Sequence, residues 1–173
     1  MRALEIRRAG EADLAGIVAV ILESWRRTYG DVLPAEYLAG PVEGDLKARW
    51  TPVHLAGSLV LVAMEAGRVV GVAATLPDHA DGPYVDNLHV ARAVEGTGVG
   101  RGLMARTARD VLEAGHRRLH LTVAEANPRA IAFYKRLGGR FGPAFEEAMF
   151  GNPVMAHAVC WDDLTGLAAM DFA

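Results

Sequence analysis

The chain has little of what several classes of protein need. Its 173 residues include a single cysteine, Cys160, so no disulfide can form within the chain and no zinc site built on cysteines is expected. No apolar run approaches the ~18 residues that a membrane-spanning helix needs, and the N-terminus has no basic start followed by a long apolar stretch. We therefore expect a soluble, cytoplasmic protein with no metal, no membrane partner and no signal peptide.

Neither sign of charge dominates. Lys and Arg together number 18 against 21 Asp and Glu, a net charge of -3. Because binding to nucleic acid requires a dominant basic surface, no nucleic-acid partner is expected. Hydrophobic residues make up 51% of the chain and charged residues 23%, which is enough apolar material for a full core. This length suits one domain, and we predict a single domain over residues 1–173.

The hydrophobic spacing predicts a mixed order of strands and helices. Apolar residues from Leu14 to Trp25 recur at helical spacing, and Ala66-Gly67 allows a tight hairpin turn between two β-rich runs. Strands are predicted at residues 3–7, 59–65, 69–76, 84–90, 119–123, 141–145 and 154–161, and helices beginning near residues 14, 34, 43, 103 and 127. This order predicts an α+β fold with a parallel portion at one βαβ step.

A glycine-rich turn between a predicted strand and a predicted helix carries the strongest chemical signal. Gly96, Gly98, Gly100 and Gly102 occupy every second position there. A backbone without Cβ approaches an anion closely, and the N–H groups at a helix start point at that anion. A phosphate or pyrophosphate is the natural ligand, although neither the dinucleotide fingerprint nor the P-loop pattern fits. The spacing alone leaves a phosphate site and a ligand-free connection equally open.

Two segments, in this order, resemble the motifs of the GNAT superfamily of N-acetyltransferases. The first comprises residues 84–90 and then Glu95-Gly96-Thr97-Gly98-Val99-Gly100. The second comprises Leu121-Thr122-Val123 and then residues 127–139, which open with Asn127-Pro128 and contain Phe133-Tyr134. The resemblance covers nearly the whole chain. It implies a mixed, mostly antiparallel central sheet flanked by helices, with a βαβ step that binds acetyl-CoA as cosubstrate and no metal.

The resemblance also implies which residues hold the cofactor. The backbone of residues 94–101 would cradle the pyrophosphate, and the strand from Leu88 to Val90 would pair with the pantetheine arm. A bulge in this strand admits the cofactor in the family, and the N–H of Leu88 would serve as an oxyanion hole. The residues so assigned to the cofactor are Leu88, His89, Val90, Glu95, Gly96, Thr97, Gly98, Val99, Gly100, Arg101, Asn127 and Tyr134.

Glu95 departs from the family pattern, which has Gln or Arg at this position. A carboxylate beside a pyrophosphate is unfavourable unless it points to solvent.

Asn127 and Tyr134 each have a structural and a functional interpretation. Asn127 followed by Pro128 is a typical helix N-cap, and the resemblance adds an amide contact to pantetheine; both can hold together. Tyr134 lies two turns further along the same helix face. It is either a core aromatic beside Phe133 or, as the resemblance implies, the general acid that protonates the departing thiolate.

The general base is less clearly marked. Family members often carry a Glu on the central strand, and this chain has none there. Asp86 and His89 are the nearest titratable residues, and strand alternation places them on opposite faces unless a bulge intervenes. His89 titrates near neutrality when unperturbed, but the interpretation that we favour for it is a neutral side chain packed beside the sheet. Asp86 is predicted to share a face with Leu88, so we favour Asp86 as the base, directly or through water.

The predicted function is N-acetyl transfer from acetyl-CoA directly to a primary amine of a small molecule or peptide. The acidic residues Asp78, Asp81, Asp86, Glu146 and Glu147 are expected to make the acceptor mouth suitable for a cation. The alternative is a catalytically silent CoA-binding sensor, which Glu95 and the missing strand Glu leave open. By resemblance, a homodimer is also expected.

Overall fold

A seven-stranded sheet in the order β1-β2-β3-β4-β5-β7-β6 organises the chain, for which a computed structural model describes residues 4–149 and 151–171. The strands are β1 Leu4–Arg8, β2 Leu59–Glu65, β3 Arg68–Leu76, β4 Tyr84–Val90, β5 Leu119–Ala124, β6 Arg140–Met149 and β7 Asn152–Trp161. Every neighbouring pair is antiparallel except β4 and β5, which are parallel. The predicted α+β fold with a mostly antiparallel sheet is confirmed.

The predicted strands are present, and β6 differs most from its expected length. β6 runs from Arg140 to Met149 rather than over residues 141–145, because its register with β7 continues from Arg140 opposite Cys160 to Met149 opposite Asn152. The start of the first predicted strand, Ala3, lies outside the described residues.

Seven helices flank this sheet in the described part of the chain. They are α1 Leu14–Thr28, α2 Ala35–Ala39, α3 Pro41–Arg49, α4 Pro52–Ala56, α5 Val99–Glu113, α6 Pro128–Arg136 and α7 Thr165–Ala168. The short helices α4 and α7 were not predicted, since four or five residues are too few to show a helical period. Among the described residues, no helix combines the length and the apolar character needed to cross a bilayer.

Side-chain alternation along the strands builds a core on each face of the sheet. On one face, Ile17 and Ile21 of α1 pack with Val62 of β2, and α3 belongs to the same cluster. On the other face, Leu103 of α5 packs with Leu61 of β2. The sheet is therefore enclosed between an α1 layer and an α5 layer, and any site between strands can open towards either layer.

The parallel pair β4–β5 separates almost at once. Its one register pair is Tyr84 with His120, after which β4 continues beside β3 and β5 beside β7. A β-bulge also interrupts β4: Val85 lies opposite Thr75 and Asn87 opposite Ala74, which leaves Asp86 as the extra residue. The bulge that the resemblance implied is confirmed, and a wedge-shaped opening forms between β4 and β5.

Candidate active site

The opening between β4 and β5 is a cleft of about 380 Å³. It is lined by residues from α1, α3, β4, β5, α6 and β6. The structure brings five of the predicted site residues together in its wall: Asp86, Leu88, His89, Asn127 and Tyr134. The glycine-rich turn follows the end of β4, where α5 begins.

The bulge at Asp86 changes which face each β4 side chain occupies. Asp86 accepts a hydrogen bond from the guanidinium of Arg49 at the end of α3, and the His89 Nδ1 lies 2.9 Å from the Ser24 Oγ of α1. Both side chains are therefore on the α1 side, whereas Leu88 packs into the apolar clusters on the α5 side. The prediction that Asp86 shares a face with Leu88 is wrong, because one inserted residue shifts the alternation.

The backbone of β4 presents donors to the cleft. The Ala91 N–H donates to the Val70 carbonyl of β3 at 2.8 Å. Because successive N–H groups on a strand point in opposite directions, the N–H groups of Leu88 and Val90 point away from β3. At that level β5 has already separated from β4. An extended ligand lying in the cleft can thus pair with this edge as an added strand.

The glycine-rich turn presents a second set of backbone donors. Gly96 and Gly98 have φ angles of 76° and 91°, in the left-handed region that favours glycine. The first hydrogen bond within α5 runs from the Gly102 N–H to the Gly98 carbonyl at 2.9 Å. The N–H groups of Val99 and Gly100 therefore have no partner within the helix. Together with the dipole of a 15-residue helix, they form an anion site.

Two further residues set the shape of this turn. A Cβ built on Gly100 would lie 3.3 Å from the Phe133 Cζ and 3.6 Å from the Val90 Cγ2, so glycine lets the start of α5 approach both β4 and α6. The Thr97 hydroxyl donates to the Val94 carbonyl at 2.7 Å, which closes the turn on itself. The turn is thus fixed by its own contacts and leaves its N–H groups outward.

Glu95 is held by two arginines. Its Oε1 lies 2.5 Å from the Arg27 guanidinium of α1, and its Oε2 lies 2.7 Å from the Arg129 guanidinium of α6. Only 19% of the Glu95 side chain is exposed. The carboxylate therefore does not point freely to solvent. Two positive charges surround this one negative charge, so the turn keeps a net positive environment despite the departure from the family pattern.

Asn127 and Tyr134 lie one behind the other along α6. The Asn127 Oδ1 accepts the Ala130 N–H at 3.1 Å, and Pro128 follows as the first helical residue. The predicted N-cap is confirmed, and the Asn127 side-chain NH₂ keeps its capacity to donate towards the cleft.

Tyr134 is 8% exposed, and its ring packs edge-on against Phe133 and Trp161. Burial raises the pKa of Tyr134 well above its usual value, so its hydroxyl stays protonated at any physiological pH. The residue is therefore part of the core and also a donor in the cleft wall.

His89 is a side chain of the cleft wall whose pKa is far from its usual value. It keeps some exposed surface in the cleft, but it lies deep in the protein. This burial, together with the nearby positive charge of Arg27, lowers the pKa of His89 to about 4. This low pKa agrees with the interpretation of His89 as a neutral side chain packed beside the sheet.

Sequence reasoning missed several residues of the acceptor side. Arg49 and Ser24 contact Asp86 and His89 from helices 37 and 65 positions away in the chain, and no local pattern marks such pairs. Of the acidic residues predicted at the mouth, Asp86 and Glu147 line the cleft.

Comparison with known proteins gives consistent results. The sequence profile of the Acetyltransferase (GNAT) family matches residues 19–139. The chain is 27% identical over 170 residues to the uncharacterized N-acetyltransferase YuaI of Bacillus subtilis, covering 95% of this chain and 96% of that protein. It is 36% identical over 110 residues to the mycothiol acetyltransferase of Jonesia denitrificans, covering 62% of this chain and 34% of that protein.

Solved structures share the fold. The PaiA N-acetyltransferase from Thermoplasma acidophilum, in complex with coenzyme A, has a TM-score of 0.71 at 19% identity, covering 89% of this chain and 98% of that chain. YncA from Salmonella typhimurium, with its cofactor acetyl-CoA, has a TM-score of 0.67 at 23% identity and covers 99% of both chains.

The lowered pKa of His89 predicts an acid-sensitive fold. In the unfolded chain a histidine has a pKa of about 6.5, so between pH 6.5 and 4 the unfolded state binds a proton that the folded state excludes. Stability therefore falls as the pH is lowered through this window, by up to about 1.4 kcal/mol per pH unit. In His89→Gln, the loss of unfolding free energy between pH 7 and pH 5 should be smaller than in the wild type by about 2 kcal/mol.

Urea unfolding at the two pH values measures this difference. His116→Gln, which changes an exposed histidine beyond the end of α5, is the matched control and should behave as the wild type. An unchanged pH dependence in His89→Gln would show that another group causes the acid sensitivity.

Proposed function

This chain belongs to the Acetyltransferase (GNAT) family, and we propose that it transfers an acetyl group from acetyl-CoA directly to a primary amine of a small molecule or a peptide. One observation carries the proposal. Tyr134, buried and protonated, lines the cleft between β4 and β5, and the chain leads from the end of β4 through the glycine-rich turn to the N-terminus of α5, where the first N–H groups have no partner within the helix. A ligand with an anionic end and an extended arm fits this arrangement.

The described residues suit each part of acetyl-CoA. The N–H groups of Val99 and Gly100 would hold the pyrophosphate, where the two left-handed glycines leave the approach clear. The β4 edge at Leu88 and Val90 would pair with the pantetheine arm, and the Asn127 amide would donate to it. The thioester then lies between the Leu88 N–H and the Tyr134 hydroxyl.

The chain's residues can assist both halves of the transfer. The amine nitrogen forms a bond to the thioester carbon while the carbon–sulfur bond breaks. The Leu88 N–H donates to the carbonyl oxygen as negative charge develops on it. The Tyr134 hydroxyl protonates the sulfur as it leaves with the bonding electrons. Because burial raises the pKa of Tyr134, its hydroxyl is neutral and still carries its proton when the sulfur leaves.

Asp86 is the proposed base for the attacking amine, which must lose one proton. Its Oδ2 accepts from Arg49 and, at 2.7 Å, from the Asn87 amide, so Oδ1 retains the capacity to take a proton directly or through water. Glu147 is the other carboxylate in the lining. Arg49 compensates the charge of Asp86, so Glu147 leaves this lining with a net negative charge, which suits a cationic amine as substrate.

Thiol release tests this function directly. The purified chain is mixed with acetyl-CoA and a panel of amines, and free CoA thiol is measured with and without each amine. Amine-dependent release supports the proposal. CoA binding without release for any small amine or peptide N-terminus would favour the silent sensor.

Removing the Tyr134 hydroxyl should slow the reaction without loosening the cofactor. We expect Tyr134→Phe to lower turnover by ~10²–10⁴, because the ring packing remains and only the proton donor is lost. CoA affinity, measured by calorimetry, should stay the same. Tyr37→Phe is the matched control, since the Tyr37 hydroxyl contacts Asp45 on the exposed surface, 2.8 Å away. Wild-type turnover in Tyr134→Phe would show that Tyr134 is a core residue without a catalytic role.

The pH–rate profile tests the base. A free amine is almost wholly protonated at neutral pH, so the rate should rise with pH, and a relay through Asp86 should add a second, enzyme-dependent limb to the profile. Asp86→Asn should erase that limb. His89→Gln should leave it in place, because the pKa of His89 is about 4. If the profile of Asp86→Asn superimposes on that of the wild type, the base is Glu147 or water. The profile of Glu147→Gln then distinguishes these two.

Neutralising Glu95 should tighten cofactor binding. Glu95→Gln removes a negative charge beside the pyrophosphate site and releases Arg27 and Arg129 to attract it, so CoA should bind several-fold more tightly at low salt. The gain should shrink as salt screens the charges. Glu113→Gln, at the far end of α5, makes the same charge change as a control. Weaker CoA binding in Glu95→Gln would instead mean that Glu95 positions the arginines for the phosphates.

A further inference from the structure

Three metal-ligating side chains meet at one edge of the cleft, outside its lining. His79 and Asp81 belong to the loop of residues 77–83 between β3 and β4, and His120 is the second residue of β5. One ligand atom from each residue lies within 4.8 Å of the other two. The His79 ring also stacks on Tyr84 with centroids 4.8 Å apart and meets the His120 ring at 5.1 Å.

We propose that His79, Asp81 and His120 form a binding site for one divalent transition-metal ion of the zinc type. Zinc takes imidazole nitrogen and carboxylate oxygen at about 2.0–2.2 Å, and tetrahedral ligands at that distance lie about 3.3 Å apart. His79 and Asp81 are exposed, so side-chain rotation can bring their atoms to this separation. Two imidazoles with a single carboxylate select zinc, nickel or cobalt over magnesium and calcium, which prefer oxygen ligands.

Backbone hydrogen bonds hold two of the three residues, His79 and His120, in place without an ion. The His120 N–H donates to the Pro83 carbonyl at 3.1 Å, beside the register pair of Tyr84 and His120. Within the loop, the Gly82 N–H donates to the His79 carbonyl at 2.9 Å. These contacts turn the loop back over the start of β5. The backbone of these two ligands is therefore already ordered before a metal binds, so binding costs less conformational entropy.

The composition of the cluster also suits a metal, since two imidazoles and one carboxylate are ligand types that Zn²⁺ takes. The Asp81 carboxylate supplies the negative charge that partly compensates the ion.

A bound ion would fasten the β3–β4 loop to β5 beside Tyr84. Tyr84 lines the cleft, and its ring contacts both histidine rings. The ion would thus make the edge of the cleft beside Tyr84 more rigid without contacting the reacting atoms. The site is independent of the proposed acetyl transfer, so either can fail without the other.

Zinc titration of the full chain tests the site. The protein, without an affinity tag, is treated with a chelator, desalted, and titrated with Zn²⁺ in competition with a chromophoric indicator. We expect about one ion per chain with a micromolar dissociation constant and a higher melting temperature with Zn²⁺. His79→Ala and His120→Ala should each weaken binding by at least about tenfold, and Asp81→Asn should weaken it less.

Two controls keep the test decisive. His116→Ala removes an exposed histidine outside the cluster and should bind Zn²⁺ as the wild type does. The melting temperature of each variant without metal shows whether it folds, and His79→Ala, on the exposed loop, should melt as the wild type does. Absence of saturable Zn²⁺ binding by the wild type, or wild-type affinity in His79→Ala, would overturn the proposal.

Discussion

The extra residue in β4 is the constraint on which the site depends. Without a bulge, β4 would pair with β3 in an unbroken register, and its side chains would alternate strictly between the two faces of the sheet. The bulge at Asp86 instead places Asp86, Asn87 and His89 towards the α1 layer and lets β4 diverge from β5. The same shift leaves the N–H groups of Leu88 and Val90 facing the gap. A single insertion therefore creates both the space for a ligand and the backbone donors that can hold it.

The charges around the glycine-rich turn follow a related principle. The N–H groups at the start of α5 attract an anion, and an acidic residue beside them would oppose it. Glu95 is instead surrounded by Arg27 and Arg129 from two different helices. The repulsion is compensated by residues that are distant in sequence, so the family's usual Gln or Arg is not the only way to keep this turn positive.

Local patterns in the sequence were sufficient to predict the parts of the site that depend on neighbours along the chain. The glycine turn, the Asn127–Pro128 cap and the strands on either side are recognisable because their physical causes lie within a few residues. The face of Asp86 was predicted wrongly, because a bulge is set by pairing with β3 and not by the β4 sequence. The low pKa of His89 and the partners of Glu95 depend on α1 and α6, and no spacing along the chain indicates them. Sequence analysis also missed the cluster of His79, Asp81 and His120, since the prediction of no metal considered cysteine ligands alone.

The single register pair between β4 and β5 divides the sheet into two leaves. One leaf contains β1 to β4 and the other contains β5, β7 and β6, and they meet through backbone pairing at Tyr84 and His120. Rotation of one leaf against the other about this point would change the width of the cleft most at the end near Val90 and least beside Tyr84. The end of the cleft near the glycine-rich turn is thus the easier one to widen. The end beside Tyr84, next to the paired residues, is the more rigid one.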